Sequence, residues 1–163
     1  MNWIAFFILA YLSIGTQTGL GPFMRWTTSS SAGAEPNFGL LAVVFITLNA
    51  QRDAALMGAF LIGALQDLVT QQPFGLFALS YGLSALVIVS FSQVVYRGHP
   101  LTHFFCTLLA GCGIALVILI HSRIRQGSNA PVTTLSAALY TAILAPFVVG
   151  ALHRMRKIFA FKK

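Results

Sequence analysis

Apolar residues run almost unbroken over 3–24, then give way to a small and polar stretch, RWTTSSSAGAEPN, at 25–37. A second apolar run covers 38–69. As one helix its 32 residues would be about 48 Å long, at 1.5 Å per residue. That exceeds a single bilayer crossing, and Gln51-Arg52-Asp53 interrupt it near the middle. The pattern therefore predicts two helices, 36–50 and 54–69, joined by a tight polar turn. A fourth helix is predicted over 73–96, with Pro73 in the first turn, where its missing N–H costs nothing. The fifth covers 104–121, after the loop RGHPLTH. The sixth covers 131–152, opened by Pro131 and kinked at Pro146. The second helix is the shortest, with an apolar core only over 38–50.

Composition decides what surrounds these helices. Of 163 residues, 57% are hydrophobic and 8% charged, and the mean hydropathy is +0.82. Soluble domains carry about 25% charged residues. A chain this poor in charge cannot cover a globule with hydrated groups, so its apolar stretches face lipid. The expected fold class is an all-α membrane protein with six transmembrane helices in one polytopic domain, 1–163. The first run lacks a basic leader and is longer than the roughly 7–15 residues of a signal-peptide core. It reads as a retained spanning helix.

The net charge of +7 raises nucleic acid as a partner, but the basic residues stand singly between apolar runs. They set topology instead. Six crossings put both termini on one side, with Arg52, Arg97 and the tail 153–163, whose basic residues are Arg154, Arg156, Lys157, Lys162 and Lys163. That side holds seven basic residues. The other holds three: Arg25, Arg123 and Arg125. Cytoplasmic loops carry the excess of Lys and Arg, so both termini are expected in the cytoplasm, the tail lying against anionic headgroups.

The chain has only three acids, Glu35, Asp53 and Asp67. Asp67 lies near the outer end of the third helix. Counting back in fours gives Gly63, Ala59 and Ala55, a stripe of small residues that lets helix backbones approach closely in lipid. The fourth helix offers Gly75, Ala78, Gly82 and Ala85 in matching spacing. A turn as short as 70–73 keeps the two helices together, so a tight hairpin is predicted, with Asp67 near its tip. There the carboxylate would accept bonds from the first amides of the fourth helix, or from Gln71 and Gln72. This structural role is preferred to a functional one such as a proton relay or partner contact.

The same stretch resembles a known family. Gly58-x4-Gly63-x3-Asp67, followed by Pro73-Phe74-Gly75-Leu76-x-Ala78-Leu79 and Tyr81, is similar to MreD, the bacterial rod shape-determining membrane protein. Pro36 before an apolar run, the chain length and the basic tail also fit. The motif covers about 36–86. Family members often show Gly-Leu-Leu or Gly-Leu-Ile before the acid, whereas this chain has Ala64-Leu65-Gln66. The resemblance implies a non-enzymatic scaffold in the bacterial inner membrane. It would bind the single-spanning MreC and connect to RodA, its transpeptidase and the actin-like MreB. It also implies a fold like the substrate-binding subunits of ECF-type vitamin importers.

Other chemistry finds little support. Ser84 in Tyr-Gly-Leu-Ser-Ala lacks the setting of a membrane serine protease. His99 and His103 read as a wet loop pair at the headgroups rather than as metal ligands. Cys106 and Cys112 lack metal or redox spacing and read as small hydrophobes. No catalytic, cofactor-binding or metal-binding residue is expected. Gly15 and Gly19 form a GxxxG motif, for which internal packing is preferred to docking of a partner's helix. The competing function, an importer's ligand-binding subunit, lacks the usual Ala-x3-Ala docking pattern, because Ala5 is followed by Leu9.

Overall fold

The computed structural model describes residues 3–25, 34–70, 73–91, 99–126 and 133–154, and the described residues form six helices. They are α1 (Trp3–Gly19), α2 (Phe38–Asn49), α3 (Arg52–Val69), α4 (Leu76–Phe91), α5 (Pro100–Gln126) and α6 (Thr133–Arg154). Their number and order follow the apolar runs; several ends do not. Residues 20–24, predicted to continue the first helix, form turns instead. The fourth helix starts at Leu76 rather than at Pro73, and Pro73 lies ahead of it, its carbonyl accepting from the Leu76 N–H at 3.2 Å. The fifth starts at Pro100, inside what reads as a loop. The His99 carbonyl accepts from the Thr102 N–H there, and proline suits the first turn. That earlier start carries His103 into the helix and buries it, correcting the wet-loop reading, while His99 stays exposed. Helix α6 continues through Pro146 without a break.

Short α2 is the centre of the molecule. Every residue from Gly39 to Leu48 is buried, and α2 packs against all five other helices. A helix with apolar residues on every side can bury all of them only when surrounded. Its 12 residues reach about 18 Å, too short to cross about 30 Å of hydrocarbon. The limit does not bind here, because α2 meets protein rather than lipid. The closest pairings around it are α3 with α4 and α5 with α6.

Among the described residues two helices, over Pro100–Ile124 and Leu135–Leu152, are long and apolar enough to cross a membrane, and Trp3–Gly19, Phe38–Asn49 and Leu76–Phe91 are shorter apolar helices. The outer surface is apolar as well. On α1 one face buries Ala5, Phe6, Leu9, Ala10 and Ser13. The opposite face exposes Ile4, Ile8, Tyr11 and Leu12. Exposed apolar area of this extent marks contact with lipid or with another protein.

Candidate functional site

Among the described residues, two polar clusters lie where α3 turns into α4 and where the chain enters α2. Gly75 is the residue before α4 and adopts φ +97°, a conformation that side chains disfavour. A glycine in that position has no side chain with which to cap the helix. Asp67 supplies the cap from the neighbouring helix. Its Oδ2 accepts the Gly75 N–H at 2.9 Å and the Ala78 N–H at 3.1 Å, and its Oδ1 accepts the Phe77 N–H at 2.9 Å. The remaining early amides bond within the turn: Leu76 to the Pro73 carbonyl, Leu79 to the Gly75 carbonyl. A negative group at a helix N-terminus also meets the positive end of its dipole. Asp67 is buried, and both of its oxygens accept from the start of α4. Gln71 and Gln72, the other expected partners, lie outside the described residues.

Gly63, one turn before Asp67, lets this happen. A Cβ there would lie 2.5 Å from the Phe77 carbonyl oxygen and 2.6 Å from the Ala78 Cα. The small stripe Ala55, Ala59, Gly63 and Asp67 is buried along its whole length. Its neighbours differ by position: Gly58 faces the Phe6 ring and Ile46 rather than α4. On α4, Ala78 and Ala85 are buried, and Gly82 has only the Phe60 ring near it, at 3.8 Å. Gly75 does not belong to that face; it serves the turn.

A second cluster, which sequence reasoning missed, joins the start of α2 to three other helices. The Asn37 Oδ1 accepts the Leu40 N–H at 2.9 Å, capping α2, and also the Tyr81 hydroxyl at 2.7 Å. The Asn37 N–H donates to Thr141 Oγ1, and the Phe38 N–H to Gln17 Oε1. Gly39 leaves room for the group, since a Cβ there would sit 3.1 Å from the Tyr81 hydroxyl and 3.2 Å from Gln66 Oε1. An asparagine directly before an apolar run is a readable cap signal; its distant partners are not.

Gly15 and Gly19 are exposed, with nothing within 4 Å of where a Cβ would stand. The internal packing preferred for this GxxxG is not what the structure has. Of the topology residues, Arg52 opens α3 and Arg154 closes α6, both exposed. Arg97, Arg156 and Lys157 lie outside the described residues.

The family model for the rod shape-determining protein MreD matches residues 1–158. The chain belongs to the MreD family. Comparison with curated proteins and with solved structures gives no match. Membership makes this a membrane protein with a role in determining rod shape, in a family of shape-determining structural proteins. In the fold, Gly63 and Asp67 join α3 to α4, Gly75 makes the turn, and Tyr81 ties α4 to the start of α2.

Proposed function

We propose that this MreD family member is a multi-pass scaffold of the cell-elongation complex in the bacterial inner membrane. All six helices cross or fill the bilayer, with both termini and Arg52 on the cytoplasmic side and the Asp67 turn facing outward. The scaffold binds MreC by helix-to-helix contact and thereby connects RodA and its transpeptidase to MreB. The observation supporting this mode of action is the uncovered face of α1. There Ile8, Tyr11 and Leu12 run into Gly15 and Gly19, which no other described residue covers. Small residues in lipid allow a second backbone to approach closely, and a single spanning helix such as that of MreC has the shape to use them.

The test is copurification. Tagged wild-type chain should recover MreC from cell membranes. Gly15→Leu and Gly19→Leu should lower that recovery while the chain accumulates normally, because neither glycine packs within the fold. Equal recovery with both variants removes α1 as the docking face, and absence of MreC from the wild-type preparation removes the scaffold reading.

A further inference from the structure

Helix α4 meets α5 less closely than α3 meets α4 or α5 meets α6, and a groove runs along their seam. It has two lobes. One, of about 310 Å³, begins at Leu101 and Thr102; the other, of about 510 Å³, runs on past Ser84 and Gly113 to Val117. Phe105 and Leu109 line both, so the groove is continuous. Its floor is small: Ser80, Ser84 and Ala110 are buried, and a Cβ on Gly113 would find only the Ser84 hydroxyl, at 3.9 Å. Its rims, Leu83, Phe105, Leu109 and Leu116, are each at least half exposed on the apolar outer surface.

Dimensions select the occupant. From Leu101 to Val117 the groove follows α5 for about 24 Å, most of the roughly 30 Å of hydrocarbon. The smaller lobe extends about 12 Å along α5 and the larger about 18 Å, so either has a mean section of roughly 25–30 Å². A helix 10–12 Å across needs about 80–110 Å². It would ride on the rims, whereas a polymethylene chain can lie on the floor. The smaller lobe ends in the first turn of α5, the positive end of a 27-residue helix. The apolar length Pro100–Ile124, about 38 Å, carries that end to headgroup level. His99 is exposed there, and its Nδ1 accepts the Leu101 N–H at 3.3 Å, which leaves the Nε2 N–H to donate. None of the lining residues is acidic.

We infer that the α4–α5 groove holds one acyl chain of an anionic phospholipid, with its phosphate at the start of α5 and its chain running along the seam toward Gly113. The inference needs only the membrane setting. Its failure would leave the scaffold role untouched.

The test is native mass spectrometry of the full chain released from nanodiscs of equal parts palmitoyl-oleoyl phosphatidylglycerol and phosphatidylcholine. The wild type should keep one lipid, phosphatidylglycerol over phosphatidylcholine by at least roughly fivefold. Gly113→Leu, whose side chain enters the open groove, should cut retention at least roughly fivefold with helical content unchanged. Cys106→Phe, which narrows the smaller lobe, should do the same and covers the case in which Gly113→Leu fails to accumulate. Leu86→Phe, on the exposed side of α4 outside the groove, should retain lipid as the wild type does. A wild type that keeps no lipid, or keeps both kinds equally, overturns the inference. So does release as a lipid-free dimer, which would give the groove to a second copy. Unchanged retention in either folded groove variant also overturns it, since the lipid would then be held elsewhere on the surface.

Discussion

Gly63 brings α3 so close to α4 that a methyl group on it would stand 2.5 Å from the carbonyl oxygen of Phe77. The obstructing atoms belong to the backbone and cannot swing aside as a side-chain end can. Gly63→Ala should therefore force the hairpin apart and loosen the Asp67 cap, at a cost of about 1–3 kcal/mol. Gly15→Ala and Gly19→Ala meet nothing and should leave stability unchanged or slightly improved. Thermal unfolding of the three variants in one detergent separates them. Equal melting temperatures would mean that α3 and α4 do not pack as described.

Gly75 fails for a different reason. No atom crowds it, but its φ of +97° disfavours any side chain. Gly75→Ala should cost about 1 kcal/mol, and Gly75→Asn less, because asparagine tolerates the left-handed region better than alanine. At Gly63 the order should reverse, since the larger asparagine meets the same backbone atoms. A matched set of four melting curves shows whether conformation or space governs each glycine.

Asp67 holds three amides at once, and both of its oxygens are used. Asp67→Ala leaves those N–H groups without their acceptor and should destabilise by on the order of 2–3 kcal/mol. Asp67→Asn keeps one oxygen but turns an NH₂ toward N–H donors, so it should recover only a small part of the loss. Amide hydrogen exchange should rise first at Gly75, Phe77 and Ala78, with the core of α2 still protected. Uniform exposure across the chain would instead make the cap part of the global fold.

The helix count, the hairpin and the cap were legible because each leaves a local mark: apolar runs of countable length, a turn too short to separate two helices, and a lone acid beside it. The rank of α2 was not. An apolar run without periodicity shows no preferred face, so its sequence cannot tell a lipid-facing helix from one enclosed by five others. Gly75 looked like part of the α4 face because glycine spacing does not distinguish packing from a positive φ. The α2 polar cluster was hidden by distance, with Tyr81 lying 44 residues from Asn37 and Thr141 lying 104 residues from it.

That cluster yields the remaining prediction. Asn37 Oδ1 accepts from both the Leu40 amide and the Tyr81 hydroxyl, so the cap of α2 and the anchor of α4 share one atom. Tyr81→Phe removes one hydrogen bond and leaves the cap, for a loss of about 1 kcal/mol. Asn37→Ala removes the cap and strands a buried hydroxyl, for a loss of about 2–3 kcal/mol. If the two groups act through one another, the double variant loses clearly less than the two single losses together, because Tyr81→Phe no longer matters once its acceptor has gone. Asn37→Asp retains the shared oxygen and should preserve much of the stability. Strict additivity in the cycle would mean that the hydroxyl is held by something other than Asn37.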